Sequence, residues 1–223
     1  MKSLIQKYFL PTLISAAILA IFGLLIYNGQ NTNRCEAQNP IWNQASQLID
    51  DRLHTTLKAT NPITLIAALA VAYASNPDDT QTFSEIIQCW VKQGGNINQV
   101  FKASEAYPLF LEPELYGQID QELKNRPTTI VASFAGLSTI VATLLKNGAQ
   151  PIVGQVSALE AWAEQYPLLE KQGNADQQTP GISDELHRML NDALQFLLKA
   201  CDQTQRDAFF EKYPQFKKVD VGT

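Results

Sequence analysis

The sequence is poor in the residues that carry most enzyme chemistry. It has only two histidines among 223 residues, and His54 and His187 belong to neither an H-E-x-x-H motif nor a Cys/His cluster. There is no G-x-S-x-G motif and no Walker loop, and Gly94-Gly95 follows a helical pattern as a stop signal rather than a phosphate-binding loop. We therefore predict no enzyme activity, no metal, no cofactor and no small-molecule substrate. The alternative, a hydrolase with an unrecognised site, would depend on His54 or His187.

Charge is also scarce, since 17% of residues are charged, and the formal net charge is −5. Lys2 and Lys7 precede every acidic residue, so the chain after residue 27 carries fifteen basic and 22 acidic side chains. An acidic body without a basic stripe argues against nucleic-acid binding, because phosphate contacts need Lys and Arg. A cationic partner is compatible with this balance, and so is a plain solvated acidic surface.

The three cysteines are few and widely spaced. Cys35, Cys89 and Cys201 form no C-x-x-C pair, which argues against a zinc site and against a disulfide-dense scaffold. Cys89 and Cys201 lie on apolar helical patterns and are predicted to be buried thiols. A single disulfide that includes Cys35 stays open, because spacing alone cannot assign a pair.

One long apolar segment, residues 9–27, lies near the N-terminus. It has no charged residue, and a helix of this length spans about 28 Å, close to the hydrocarbon thickness of a bilayer. Tyr8 and Tyr27 flank it where aromatic rings prefer the membrane interface. We predict an uncleaved transmembrane helix. The alternatives are a signal peptide, for which no convincing cleavage site follows, and a buried soluble helix.

The flanking charges predict the orientation of this helix. Lys2, Lys7 and the α-amino group precede it, whereas only Arg34, next to Glu36, follows closely. The positive-inside rule then places residues 1–8 in the cytoplasm and the body of the protein outside the inner membrane, which in a bacterium is the periplasm.

Helical periodicity dominates the rest of the chain. A polar linker at 28–40 precedes an amphipathic capping helix at 41–58. Downstream helices come in pairs, at 61–72 with 83–92, 127–135 with 138–146, and 157–164 with 184–200. Since no segment alternates long enough to predict strands beyond hairpin tips, the body is predicted to be all-α, with one domain at 59–216 and a tail at 217–223.

The helix pairs share opening and closing motifs. NPITLIA at 61–67, RPTTIVA at 126–132 and SALEAWA at 157–163 open three of them, and YPLF at 107–110 would open an intermediate copy. CWVKQGGNIN at 89–98 and IVATLLKNGA at 140–149 close two. This pattern resembles the ankyrin repeat, a unit of about 33 residues that opens with T-P-L-H-x-A. The resemblance implies an ankyrin-like solenoid, with another helix-pair solenoid or an unrelated bundle as alternatives.

The sequence departs from the repeat at its fourth motif position. Histidine is usual there, whereas the four copies here carry Thr64, Phe110, Thr129 and Glu160. The hydrogen bonds that link neighbouring turns in the family are therefore not implied for this chain.

In such a repeat stack, the turns and the first helices form a face that binds other proteins. Asn96 and Asn98 occupy one turn tip, and Asn147 and Gln150 occupy the equivalent tip of the next pair. These four residues are the predicted partner contacts.

Size, placement and the lack of reactive groups together predict a non-catalytic protein that binds another protein while residues 9–27 hold it at the membrane. An immunity or inhibitor protein against a toxin crossing the envelope is one version, which rests on analogy. The alternative is a structural or assembly subunit of a membrane envelope complex, in which the membrane helix itself makes specific contacts.

Overall fold

The computed structural model of the protein describes residues 40–109, 125–175 and 182–218. The predicted cytoplasmic residues 1–8, the membrane segment 9–27, Cys35 and most of the linker 28–40 lie outside the described residues. Within the described ranges, no helix is both long and apolar enough to cross a membrane. Residues 40–43 belong to a different compact unit from Gln44–Thr223, and the packing below is that of the second unit.

The described chain is mostly helical, which confirms the predicted helical class. Its α-helices are α1 Pro40–Leu53, α2 Pro62–Ser75, α3 Thr80–Lys92, α4 Ile130–Ser133, α5 Ser138–Lys146, α6 Ala158–Ala175, α7 Ile182–Ala200 and α8 Gln203–Lys212. Three 3₁₀ helices cover Ala103–Glu105, Tyr107–Leu109 and Pro214–Lys218. Its four strands are β1 Val100–Lys102, β2 Pro127–Thr129, β3 Ile152–Val153 and β4 Val156–Ser157. These strands are as short as the predicted hairpin tips.

The helices pack in sequential pairs. Helix α2 packs on α3, α4 contacts α5, and α6 packs on α7. The first helices of these pairs also contact one another in the order α2, α4, α6, and the second helices do so in the order α3, α5, α7. The core between them contains the fully buried side chains of Phe83, Trp90, Phe134 and Trp162. Trp42, which belongs to the other unit, is buried as well.

Local signals explain why α2 begins where it does. The Asn61 side chain accepts a hydrogen bond from the backbone N–H of Ile63 at 2.9 Å, and Pro62 occupies the first helical position. This combination satisfies an orphan N–H and fixes a helical φ angle. Every residue of 62–69 is buried, because α2 is apolar around its whole circumference.

Helix α1 is shorter than the sequence predicted. It ends at Leu53 rather than at residue 58, because His54 adopts a left-handed conformation with φ of 50°. The backbone N–H of His54 still donates to the Asp50 carbonyl at 2.9 Å, so this residue closes the helix. Histidine is an unusual choice there, since glycine or asparagine normally fills the left-handed position.

The predicted helix at 127–135 is also wrong at its start. Pro127–Thr129 is strand β2, which pairs antiparallel with β1, and α4 covers only Ile130–Ser133. Thr129 ends the strand and caps the helix, because its hydroxyl accepts a hydrogen bond from the Ala132 N–H at 3.3 Å.

In the third pair, α6 continues through Pro167 to Ala175, past the predicted end at 164. The copy opened by YPLF is a 3₁₀ helix at Tyr107–Leu109, and Phe110 is not among the described residues.

The predicted state of Cys89 is corrected by the structure. Cys89 lies on α3, is only half-buried, and is disulfide-bonded rather than a free thiol. Cys201 is a free, buried cysteine as predicted. Burial raises the pKa of the Cys201 thiol to about 11, with the charge of Asp202 adding to the effect. Its reactive thiolate is therefore scarce at neutral pH.

Candidate functional site

Helices α3 and α5 end in two separate backbone turns of the same type. Gly94 and Gly148 occupy the left-handed position that follows each helix, with φ of 96° and 95°. Both turns close with the same two hydrogen bonds, from Gly94 to Val91 and from Gly95 to Trp90 after α3, and from Gly148 to Leu145 and from Ala149 to Leu144 after α5. This is the Schellman pattern, which uses glycine because a Cβ is unfavourable at positive φ. The turns therefore present residues 96 and 150 in comparable positions.

Asn98 joins the two turns. Its Nδ2 donates to the carbonyl oxygen of Gly148 at 3.2 Å, and its Oδ1 accepts from the backbone N–H of Gln150 at 2.8 Å. Asn96 supports this arrangement, because its Oδ1 accepts from the backbone N–H of Asn98 at 3.0 Å. One asparagine thus satisfies a donor and an acceptor of the neighbouring turn and fixes the spacing of the two helix pairs.

Asn147, the residue that follows α5, links the same two helix pairs through a second set of hydrogen bonds. Its Nδ2 donates to the Thr143 carbonyl at 2.9 Å and to the Ser84 hydroxyl at 3.2 Å. Its Oδ1 accepts from Gln88 Nε2 at 3.3 Å. Asn147 therefore ties the C-terminal end of α5 to the side of α3.

The structure brings all four predicted contact residues to one surface, which we call the amide turn surface (residues 96–98 and 147–150). Asn98 and Asn147 are half-buried, and their amides are used between the helix pairs. Asn96 and Gln150 are exposed. The Asn96 and Gln150 side chains are thus the amides that this surface presents to solvent.

A group of ion pairs, which sequence reasoning missed, links the second and third helix pairs. Arg126 precedes β2 and forms ion pairs with Glu160, at 2.9 Å, and with Glu164, both on α6. Lys212 of α8 also pairs with Glu160, at 2.8 Å. The Arg126 side chain is 31% exposed. Partial burial would lower the pKa of Arg126, but the hydrogen bonds and charges of Glu164 and Glu160 outweigh it and raise the pKa.

Glu160 stands where the ankyrin motif would have histidine, and it pairs with Arg126, the first residue of the RPTTIVA segment, 34 positions earlier. An ion pair therefore links the SALEAWA and RPTTIVA segments. At the corresponding positions of the other two described segments, Thr64 donates to the Lys58 carbonyl at 3.0 Å and Thr129 caps α4, so both threonines bond close to themselves in sequence.

An aromatic cluster lies beside the ion pairs. The Phe216 ring meets Trp162 edge-on at 4.8 Å between centroids and Tyr166 at 5.6 Å, and Trp162 and Tyr166 are 4.9 Å apart. Phe209 and Tyr213 complete the cluster from α8 and the residue that follows it. We call Glu160, Trp162, Glu164 and Tyr166 the α6 face. The glutamates are spaced i, i+4 and so are the aromatic residues, but the two pairs are offset by two positions and leave α6 in different directions. Lys212 reaches the first pair and Phe216 reaches the second.

The two histidines lie in different parts of the fold. His54 is exposed at the end of α1, and His187 is half-buried on α7. Among the described residues, no three His, Cys, Asp or Glu side chains are grouped so that they could hold a metal ion. A cleft of about 310 Å³ between α1 and the loop before α2 has mixed polar and apolar walls, formed by Ser46, Gln47, Ile49, Asp50, Thr55, Thr56, Leu57 and Thr64.

Comparisons with known proteins return no match: no family model fits the chain, and neither the curated proteins nor the solved structures include a significant relative.

Proposed function

We propose that the chain is a protein-binding module without catalytic activity, built from ankyrin-like helix pairs and displayed on the outer side of the inner membrane by a helix at 9–27. One observation carries this proposal. Asn98 joins two equivalent glycine turns through Gly148 and Gln150 and holds the exposed side chains of Asn96 and Gln150 on a fixed surface. Pre-ordered turns lower the entropic cost of binding a partner.

The packing order of the helices supports the repeat aspect of the proposal. Contacts that run from first helix to first helix and from second helix to second helix are those of stacked repeats. The close resemblance of the turns after α3 and α5 points in the same direction.

The disulfide of Cys89 supports the proposed compartment. Disulfides persist in the periplasm and are rare in the reducing cytosol. The predicted orientation of residues 9–27, which puts the body outside the inner membrane, agrees with this. Thiol labelling in intact cells followed by peptide mapping tests it: Cys89 should stay unlabelled until a reductant is added, and a freely labelled Cys89 would contradict the placement.

Photo-crosslinking in intact cells tests the binding function. A photoreactive amino acid at Asn96 or Gln150 should capture one predominant protein in the full-length, membrane-bound chain. The matched control carries it at Asn191, an exposed amide on α7 outside the amide turn surface. Equal capture at Asn191, or no capture at Asn96 and Gln150, would overturn the proposal for this surface.

The identity of the captured protein separates the specific versions. A toxin that enters the envelope, together with loss of protection when the chain is deleted, would support an immunity or inhibitor role. A stable envelope complex would support the alternative of an assembly subunit. Exchange of residues 9–27 for an unrelated membrane helix discriminates further, because a simple tether keeps its capture pattern and an assembly subunit loses it.

A further inference from the structure

Residues 203–218, comprising α8 and the 3₁₀ helix Pro214–Lys218, form a segment with a narrow attachment to the rest of the protein. We call it the strap. Phe209 is the only buried side chain of α8. The closest packing of both strap elements is with each other rather than with any other helix. A segment with so little buried surface opens at lower free energy than the core does.

The strap also begins with its own helix signal. The Asp202 carboxylate accepts from the backbone N–H of Gln205 at 2.8 Å, and the Gln205 side chain accepts from the N–H of Asp202 at 3.0 Å. This reciprocal capping box starts α8 without help from other elements. On its N-terminal side, Arg206 donates to the Cys201 carbonyl at 3.0 Å and so holds the first turn of the strap at the end of α7. The residues after Arg206 carry the contacts to the α6 face.

Two of those contacts come from an aromatic and a cationic group that are four positions apart in sequence. Phe216 lies edge-on against Trp162, and Lys212 Nζ forms an ion pair with Glu160. The Lys212 side chain is 54% exposed, so solvent screens its attraction to Glu160. The strap thus contacts Trp162 and Tyr166 through the Phe216 ring and Glu160 through the Lys212 ammonium.

Residues outside the strap also hold the side chains of the α6 face in place. The indole Nε1 of Trp162 donates to the Leu190 carbonyl at 2.9 Å, which fixes the ring against α7. Glu160 and Glu164 are both held by Arg126. Departure of the strap would therefore uncover a preformed aromatic and acidic surface rather than a collapsed one.

We propose that the strap is a detachable internal ligand, and that the protein which displaces it presents an aromatic ring and a cation to Trp162 and Glu160, as Phe216 and Lys212 do. Large aromatic residues dominate the binding energy of protein interfaces, and the acidic body of the chain favours a cationic partner. This inference rests on the proposed binding function for its partner, whereas the opening of the strap is a property of the chain alone.

Hydrogen exchange on the full-length protein in detergent tests the opening. Backbone amides of residues 207–216 should exchange about tenfold or more faster than those in the middle of α7, because the strap opens without global unfolding. Phe216→Ala and Lys212→Gln should accelerate exchange in the strap and leave α7 unchanged. Phe196→Ala, which removes an exposed ring from α7, and Lys217→Gln, which removes an exposed strap charge, are matched controls and should leave strap exchange as it is.

A synthetic peptide of residues 203–218 with a photoreactive group then tests the face. It should label α6 about tenfold more in the full-length Phe216→Ala variant than in the wild type, whose own strap competes. A peptide that lacks the Phe216 ring should not label either protein above background. Strap amides as slow as those of α7, or equal labelling of both proteins, would overturn the proposal. Neither experiment uses the cellular partner, so a failure to capture that partner at the amide turn surface would be a separate result.

Discussion

Asn98 and Gln150 lie 52 positions apart in sequence, yet the Asn98 side chain accepts the backbone N–H of Gln150 at 2.8 Å. The same side chain donates to the adjacent carbonyl of Gly148. Two helix pairs are thereby held together through the end groups of their turns. Because Asn98 is only half-buried, water competes for these bonds, and their net contribution is modest.

Asn98→Ala should lower the free energy of unfolding by about 1 kcal/mol. Both hydrogen bonds are lost, and the Gly148 carbonyl and the Gln150 N–H then bond to water instead. Urea unfolding followed by circular dichroism measures this. Gln99→Ala, at the exposed neighbouring position, is the control and should stay within about 0.5 kcal/mol of the wild type. An unchanged urea midpoint for Asn98→Ala would show that the Asn98 hydrogen bonds do not stabilise the contact between the two helix pairs.

The helix pairs could be predicted because their signals are local. Asn61-Pro62 starts α2, Gly94 ends α3 and Gly148 ends α5, each through groups only a few residues away. Residues 138–146 were predicted as a helix with the observed bounds. The amide turn surface followed from the same turns, since equivalent turns place equivalent residues side by side.

The features that were missed depend on distant partners. Pro127–Thr129 is a strand only because Val100–Lys102 lies next to it, and its own sequence suits a helix start. The ion pair of Arg126 and Glu160 was not predicted, because nothing local to either residue indicates a contact across 34 positions. His54 ends α1 in a left-handed conformation that is uncommon for any residue other than glycine, so the sequence did not indicate this end.

Gly95 lies close against the core. A Cβ at this residue would lie 2.3 to 2.4 Å from three atoms of the fully buried Trp90 ring. Gly95→Ala should therefore cost about 1 to 3 kcal/mol through overpacking. In a Trp90→Leu background, the same change should cost less than half as much, because the obstructing ring is gone. Urea unfolding measures both losses of stability. If Gly95→Ala lowered the free energy of unfolding equally in both backgrounds, the loss would not come from a clash with the Trp90 ring.

Asp79 caps α3 and gives stability a specific pH dependence. The backbone N–H of Thr82, then its hydroxyl, donates to this carboxylate and lowers the pKa of Asp79. Because the folded-state pKa lies below the usual value, the stabilisation is present above about pH 4 and is lost as pH falls through the folded value. Asp79→Asn keeps an acceptor without the titration. The stability gap between wild type and Asp79→Asn should therefore be larger at pH 7 than at about pH 2.5, and a constant gap in urea midpoints would contradict this.

Arg126 and Arg188 offer a comparison of two ion pairs that differ in surroundings. Arg126 bridges two glutamates on another element with 31% of its side chain exposed, whereas Arg188 pairs with Glu185 on its own helix with 69% exposed. Arg126→Gln should lower the free energy of unfolding by about 1 kcal/mol, and Arg188→Gln by at most about 0.5 kcal/mol, because exposed pairs on one helix contribute little.

Arg126→Lys should recover part of the loss, since an ammonium keeps the charge without the forked geometry that reaches both carboxylates. Thermal or urea unfolding at about 0.1 M and 1 M salt measures these differences, and the deficit of Arg126→Gln should shrink at high salt. If Arg126→Gln and Arg188→Gln were equally destabilised, the link between the second and third helix pairs would not depend on this ion pair.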